Sequence, residues 1–408
     1  MKRFFIVYIF SILISESFNM ELLSHLSYDI ASADITGFEQ NGREFAVIGL
    51  ANAASFVDIT NPYSPFEVGR IEGGNSTWRD LKYWNEHVYI GTEADDGVKV
   101  VDVSDLDNPT LVYTITDFDN SHNIHVYEGY LYVVGADEYH MWIYDLSNPA
   151  EPELVGTWND EYIHDLEVYN DRAYAMGIYS STAYIIDMSD KSNPFTLVSW
   201  QYPGMAHDCA VTPDERYLVT ADEMEGGYIR IWDIEDYNNI TEVGYFLGNP
   251  AHSVHNVYIK DGLLYASWYA DGTRVFDISE PDNIIEIARY DTSEIEGLYV
   301  GNWGVYVYLP SGNIISSDIE TGLYILRLGG LSVNHIPLDD LDMGDSIDVS
   351  VQVSSLGNDA VNYMNIFYSY GGGWYFSEMS FNGESWEYAI PEPDEPCLIS
   401  YYFEVIPQ

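Results

Sequence analysis

The chain has 408 residues, with 15 Lys and Arg against 66 Asp and Glu, a formal net charge of −51 and a pI near 4.1. Such a field repels phosphate backbones and anionic lipid surfaces, which argues against a nucleic-acid partner. It invites divalent cations such as Ca²⁺, although a solvated acidic face in a saline medium is the simpler account.

Residues 1–18 read as a secretory signal. Lys2-Arg3 precedes an apolar run from Phe4 to Ile14, and small residues follow at Ser15 and Ser17. The run is short for a membrane span, and no other approaches that length, so the mature chain is expected to be exported and to lack a transmembrane segment.

From there one unit keeps returning. Its anchor is a polar residue stepping into an apolar strand: Asp34-Ile35, Asp80-Leu81, Asn123-Ile124, Asp165-Leu166, Asp208-Cys209, Asn256-Val257 and Gly297-Leu298, spaced 41 to 48 residues apart. That period, with four short strands per unit, predicts propeller blades. The copy at His164 shows the parts: strands Asp165–Tyr169, Arg172–Ile178, Thr182–Met188 and Phe195–Trp200, with alternating apolar, β-branched and aromatic residues between turn signals. Third strands close on an Asp followed two residues later by Ser, Thr or Glu, as at Asp58, Asp102, Asp145, Asp187, Asp233 and Asp277. These aspartates read as turn builders.

Ala183-Tyr-Ile-Ile-Asp-Met-Ser, followed by Asn193-Pro194, and Trp78-Arg-Asp-Leu resemble the LVIVD-repeat family, including the secreted proteins called choice-of-anchor B. The opening phrases Ala33-Asp-Ile-Thr-Gly-Phe and Gly42-Arg-Glu-Phe-Ala-Val-Ile-Gly are similar to that family's first blade. The resemblance covers about residues 20 to 330. It implies an exported or surface β-propeller without an assigned reaction. The interchangeable C-terminal anchors behind the family's name have no counterpart visible before Gln408.

The expected architecture is all-β: a seven-bladed propeller over 19–330 and a small fibronectin-III or Ig-like sandwich over 331–408, which reads as cut short. Met20–Leu26 should clasp the ring by adding to the outer edge of the last blade, with Gly322–Leu328 as an extra or competing strand. In the C-terminal part the expected strands are Ser346–Ser354, Asn362–Tyr370, Trp374–Ser380 and Ile399–Ile406, with hairpin turns at Gly371–Gly373 and Asn382-Gly383. Cys209 reads as a buried small hydrophobe, and a disulfide with Cys397 is not expected.

The sharpest constellation is the residue just before each anchor: Ala33, Arg79, His122, His164, His207, His255 and Glu296. Consecutive blades put imidazoles at the channel mouth, where His122, His164, His207 and His255 could hold Zn²⁺ or a similar ion, or serve as acid and base. Glu296 would add a ligand and Arg79 an anion clamp. The competing reading is structural, because repeats duplicate turn and packing residues too. Against it, the histidines are missing from blades one, two and seven, which suggests a one-sided site. His125 and His252 lie outside the repeated position. Acidic clusters at Glu93–Asp96, Asp137-Glu138 and Asp222-Glu223 could gather Ca²⁺, but no calcium-loop motif is present. Aromatic residues make up 15% of the chain, and Trp78, Tyr139, Tyr179 and Tyr269 would support binding if exposed.

These features lead to a monomeric binding or scaffold protein, secreted, extracellular or at the cell surface, with a periplasmic location also open. Its expected partner is an extracellular protein or glycan, with no nucleic acid. A metal-dependent hydrolase or other enzyme using the histidine cluster is the alternative.

Overall fold

The computed structural model describes residues 17–136, 141–336, 338, 341–355 and 360–407. Among them every regular element is a β-strand, and no helix is long and apolar enough to cross a membrane. The expected signal falls almost entirely outside the described residues, as do Asp137, Glu138 and Tyr139. The chain divides into two compact units, Leu22–Arg327 and Leu328–Gln408, the latter joined by the described residues up to Glu21.

The larger unit is a series of four-stranded antiparallel sheets over 32–72, 79–115, 123–158, 165–201, 206–247 and 257–290, each with its strands in chain order. A further sheet is made of Asn302–Tyr306, Ile314–Asp318 and Gly322–Leu328, with Met20–Leu26 on its outer edge. The N-terminal strand is thus the clasp, as expected. Gly322–Leu328 is no competitor for that edge: it is the third strand of the same sheet.

Neighbouring sheets stand face to face, so the middle strands are covered on both sides and read as continuous apolar runs. Arg43–Leu50 is buried at every position after the first, whereas the outer strand Phe195–Gln201 alternates between exposed and half-buried. Each hydrophobic cluster joins two successive sheets. One packs Tyr89, Val98 and Val100 against Ile124, Leu131 and Val133. Another joins the last sheet to the first through Ile315, Ile325, Ile35 and Ile48, with Leu23 of the clasp. The first strands of the first six sheets pack against one another in order, Asn302–Tyr306 packs on Leu263–Trp268 of the sixth sheet, and Ser32–Gln40 meets Asn302–Tyr306. The circle is closed, and the unit is a β-propeller.

The aspartates after the third strands build turns as read. Asp58, Asp187 and Asp277 accept the N–H two residues on at 2.8, 2.9 and 2.9 Å.

The smaller unit holds two sheets. Leu331–Asn334, Ile347–Ser355, Trp386–Ile390 and Ser380–Phe381 form one; Tyr375–Glu378, Val361–Ser369 and Ser400–Pro407 form the other. Their inward residues, among them Val349, Val351, Met364, Ile366 and Ile390, make a single core. Trp386–Ile390 is a strand that the sequence reading missed.

Candidate metal and ligand site at the channel mouth

The first strand of every sheet lines the central channel, and the anchor residues form a polar row around it. In this row Asp80 accepts Leu81 N–H at 2.7 Å through Oδ1 and, through Oδ2, the Ile124 N–H of the next sheet at 2.8 Å. Asp208 does the same with Cys209 and Val257, both at 2.7 Å. These carboxylates clasp neighbouring sheets by satisfying buried N–H groups. Lys82 Nζ lies 2.5 Å from Asp80 and 3.7 Å from Asp34. Burial would push Asp80 up, but Lys82 and a hydrogen bond from Asp34 hold it below the usual carboxylate range. Burial and the Asp80 charge raise Asp34 well above that range.

The seventh anchor differs from the expected Gly297-Leu298. The innermost strand of the last sheet begins at Asn302, with Asn302 facing Asp318 and Gly304 facing Ser317 across a bulge. The same bulge in the fifth sheet puts Ala206 opposite Asp222 and Asp208 opposite Ala221. Gly304 therefore holds the anchor position and Trp303 the position before it. Glu296 sits outside the row: its side chain is 84% exposed and reaches His252 Nε2 at 2.9 Å, while His252 Nδ1 contacts Asp271 at 2.9 Å.

Ahead of the polar row, the four imidazoles form one arc. Ring centroids are 3.8 Å apart for His122 and His164, 4.4 Å for His164 and His207, and 4.4 Å for His207 and His255; Trp303 continues the arc 4.8 Å beyond His255. Arg79 is buried, and it donates N–H groups to Leu50 O and, at 2.7 Å, to Gly74 O. Those donors fasten a loop, so the guanidinium is not held out as an anion clamp. A void of about 20 Å³ lies between the arc and the polar row, lined by Arg79, His122, His207, His255 and Trp303 among others. That is room for a single water or ion.

The arc is not uniform. His122 Nδ1 is 2.6 Å from Glu93 Oε1. His255 Nδ1 donates to Trp303 O at 2.6 Å, which leaves Nε2 as its lone-pair nitrogen. Between them, His164 Nδ1 and His207 Nδ1 are buried without a hydrogen-bond partner. Burial and the neighbouring imidazoles push His164 and His207 well below the ordinary histidine range, and burial pushes His255 down to about 3. All three are neutral at physiological pH, the form that binds metal.

Among the described residues, His164, His207 and Glu223 place one ligand atom each within 4.8 Å of one another. Glu223 Oε2 is 3.5 Å from His207 Nε2, and Tyr269 Oη donates to Glu223 Oε1 at 2.5 Å. Tyr269 is 2% exposed and holds a φ of 24°, a backbone state that a non-glycine residue adopts at a cost. Two imidazoles and a carboxylate suit Zn²⁺ or another borderline transition metal; Ca²⁺ prefers a shell of oxygens. Of the four expected histidines, His164 and His207 fall in this close group, with Glu223, which was not expected.

In the described acidic clusters the carboxylates of Asp96 and Asp222 have protein partners. Asp96 takes Lys99 and the Gly74 N–H, the latter at 2.8 Å, and buried Asp222 takes Arg230 at 2.9 Å. Of the aromatic candidates, Trp78 and Tyr179 are exposed at 42% and 78%, while Tyr269 is buried.

A family model described as the LVIVD repeat matches residues 79–117 and 120–160, which are the second and third sheets. The chain carries LVIVD repeats. Among solved structures, the crystal structure of RRP9 WD40 repeats is similar, with a TM-score of 0.56 and 10% identity over 76% of this chain and 97% of that one. At that identity the likeness concerns the fold. A comparison with curated proteins finds no match.

Within the LVIVD-type units, His125 lies two residues past its anchor and faces the channel, with Val168 N–H donating to its Nε2 at 3.3 Å. Glu93 and Glu223 both follow second strands, where the turns overhang the mouth. The acidic runs there marked them, but not the imidazole each would meet.

Proposed function

We propose that this chain is an exported seven-bladed β-propeller, followed by a small fibronectin-III or Ig-like sandwich and related to the choice-of-anchor B proteins. In this reading it binds a transition-metal ion at one mouth of its channel and engages an extracellular protein or glycan there. The observation that carries the reading is the convergence of His164, His207 and Glu223, with neutral imidazoles whose Nδ1 atoms have no partner. Exposed rings stand around the arc: Trp78 is 6.1 Å from Trp303, Tyr179 packs 4.9 Å from Tyr162, and Tyr299 lies 5.4 Å from Tyr269. Exposed aromatic rings beside a fixed charge are common anchors for a partner. Lys2-Arg3 and the apolar run after it support export.

A metal-dependent hydrolase is the second reading. The Glu93–His122 pair favours it: His164, His207 and Glu223 would hold the ion, which would supply Lewis-acid chemistry, and the carboxylate-oriented His122 imidazole beside them could serve as a general base.

Metal analysis of the protein dialysed against Zn²⁺ tests the proposal. One equivalent per chain, lost in His164→Ala and in His207→Ala, is expected. Less than a tenth of an equivalent, or metal retained by both variants, contradicts it.

A further inference from the structure

Beyond the polar row, the same innermost strands present a third row, two residues past each anchor. Thr36, Lys82, His125, Glu167, Tyr258 and Tyr306, each from a different sheet, line a cavity of about 270 Å³. Asn123, Asp165 and Asn256 border both this cavity and the small void under the imidazoles, so the polar row separates the two. Tyr308, 44% exposed, stands at the cavity's edge.

The third row does not behave as a repeat position. The anchor row is Asp or Asn in the first six sheets, and Asp80, Asp165 and Asp208 in it serve backbone N–H groups, as structural repeat residues do. Two residues on, six sheets contribute a hydroxyl, an ammonium, an imidazole, a carboxyl and two phenols, and the fifth has buried Ala210. Of the six, Thr36 is buried; the other five are half-buried because they face the cavity rather than packed protein.

The wall's charges are largely quenched. Lys82 is held by Asp80 and Asp34. His125 accepts the Val168 N–H, so its other nitrogen carries the proton, and burial together with Lys82 pushes its pKa down to about 4. Glu167 accepts Val211 N–H at 2.5 Å and is pushed up to about 8 by burial, leaving it a neutral acid with a proton to donate. The tyrosines add ring surface: Tyr308 lies 5.7 Å from Tyr306 and 6.2 Å from Tyr258, edge to face. Hydrogen-bonding groups beside apolar ring surface match a molecule with hydroxyls on its rim and C–H groups on its faces. The volume falls just below the ~300–1,000 Å³ of drug-sized sites. The net charge of −51 opposes the approach of anions.

We propose that this cavity binds one small, uncharged polyhydroxylated molecule of monosaccharide size, on the far side of the polar row from the imidazoles. His125, Glu167 and Tyr258 hydrogen-bond its hydroxyls, and the Tyr306 and Tyr308 rings cover its C–H surface. The inference is independent of the metal site.

Calorimetric titration of the full chain in 1 mM EDTA tests it, with D-glucose, D-galactose and myo-inositol as probes and choline as the cationic comparison. At least one of the three polyols should bind saturably at one per chain. His125→Leu and Tyr258→Phe should each weaken that binding at least tenfold while the thermal melt stays cooperative. If Tyr258→Phe does not fold, His125→Leu and line broadening of the polyol's own proton signals carry the test. No saturable binding of any polyol up to 50 mM overturns the proposal, as does preference for choline, or binding unchanged in the folded variants. Because EDTA is present, an absent metal site leaves this result untouched.

Discussion

Tyr269 holds Glu223: its hydroxyl donates to one carboxylate oxygen at 2.5 Å while the other lies 3.5 Å from His207 Nε2. The tyrosine comes from the sixth sheet and the glutamate from the loop after a strand of the fifth, so blade packing itself orients the carboxylate. Groups behind a metal ligand typically contribute 10- to 100-fold in affinity. Tyr269→Phe should therefore lower Zn²⁺ affinity by about that factor, measured by competition with a chromogenic chelator, and leave the stoichiometry at one. Unchanged affinity would show that Tyr269 only packs.

Asp208 satisfies two buried N–H groups, those of Cys209 and Val257, and so joins two sheets. Asp208→Ala strands both donors, at a cost of about 1–3 kcal/mol each. Denaturant unfolding should show a loss of about 2–6 kcal/mol for the two together, with a smaller loss for Asp208→Asn, which keeps one acceptor. A loss under 1 kcal/mol in Asp208→Ala would rule out the clasp.

At Gly304 an added Cβ would run into Asp34 Oδ1. Restoring the repeat's acidic residue with Gly304→Asp should destabilise the protein more than Gly304→Ala, because it adds a buried charge beside Asp34 to the steric conflict. Thermal melts rank the two variants, and equal melting temperatures would contradict the account.

That glycine also explains where the sequence was legible and where it was not. Strand limits in the His164 copy come out within a residue, because turn residues at Asn170-Asp171 and Asp187 bracket each apolar run. Six anchors are recognisable because their carboxylate or amide recurs. The seventh has neither that group nor a histidine, only Trp303-Gly304, so Glu296 and Gly297 offered the nearest pattern and put the site residue on a loop. The approach of Glu223 to His207, and of Tyr269 to Glu223, depends on which turns overhang the mouth, and strand periodicity carries no such information. The short strand Trp386–Ile390 has too few alternations to stand out.

Glu167 gives the pH dependence. Its pKa in the folded chain, about 8, lies above its ordinary value of 4.5 because burial disfavours the charge. The folded state thus keeps a proton that the unfolded state loses. The stability this contributes is complete below about pH 4.5 and is lost as pH rises through 8. Glu167→Gln removes the dependence, so its melting temperature should rise relative to the parent chain between pH 5 and pH 9. A constant difference would mean that Glu167 is ionised throughout.

The central claim is that separate blades bring His164, His207 and Glu223 to one metal ion. The most direct measurement is an anomalous difference map, recorded at the zinc edge, from crystals of the full chain grown with one equivalent of Zn²⁺. The account predicts a single strong peak about 2.0–2.2 Å from a nitrogen of His164, a nitrogen of His207 and an oxygen of Glu223. A map with no peak at the channel mouth, or with zinc only on surface carboxylates, would contradict it.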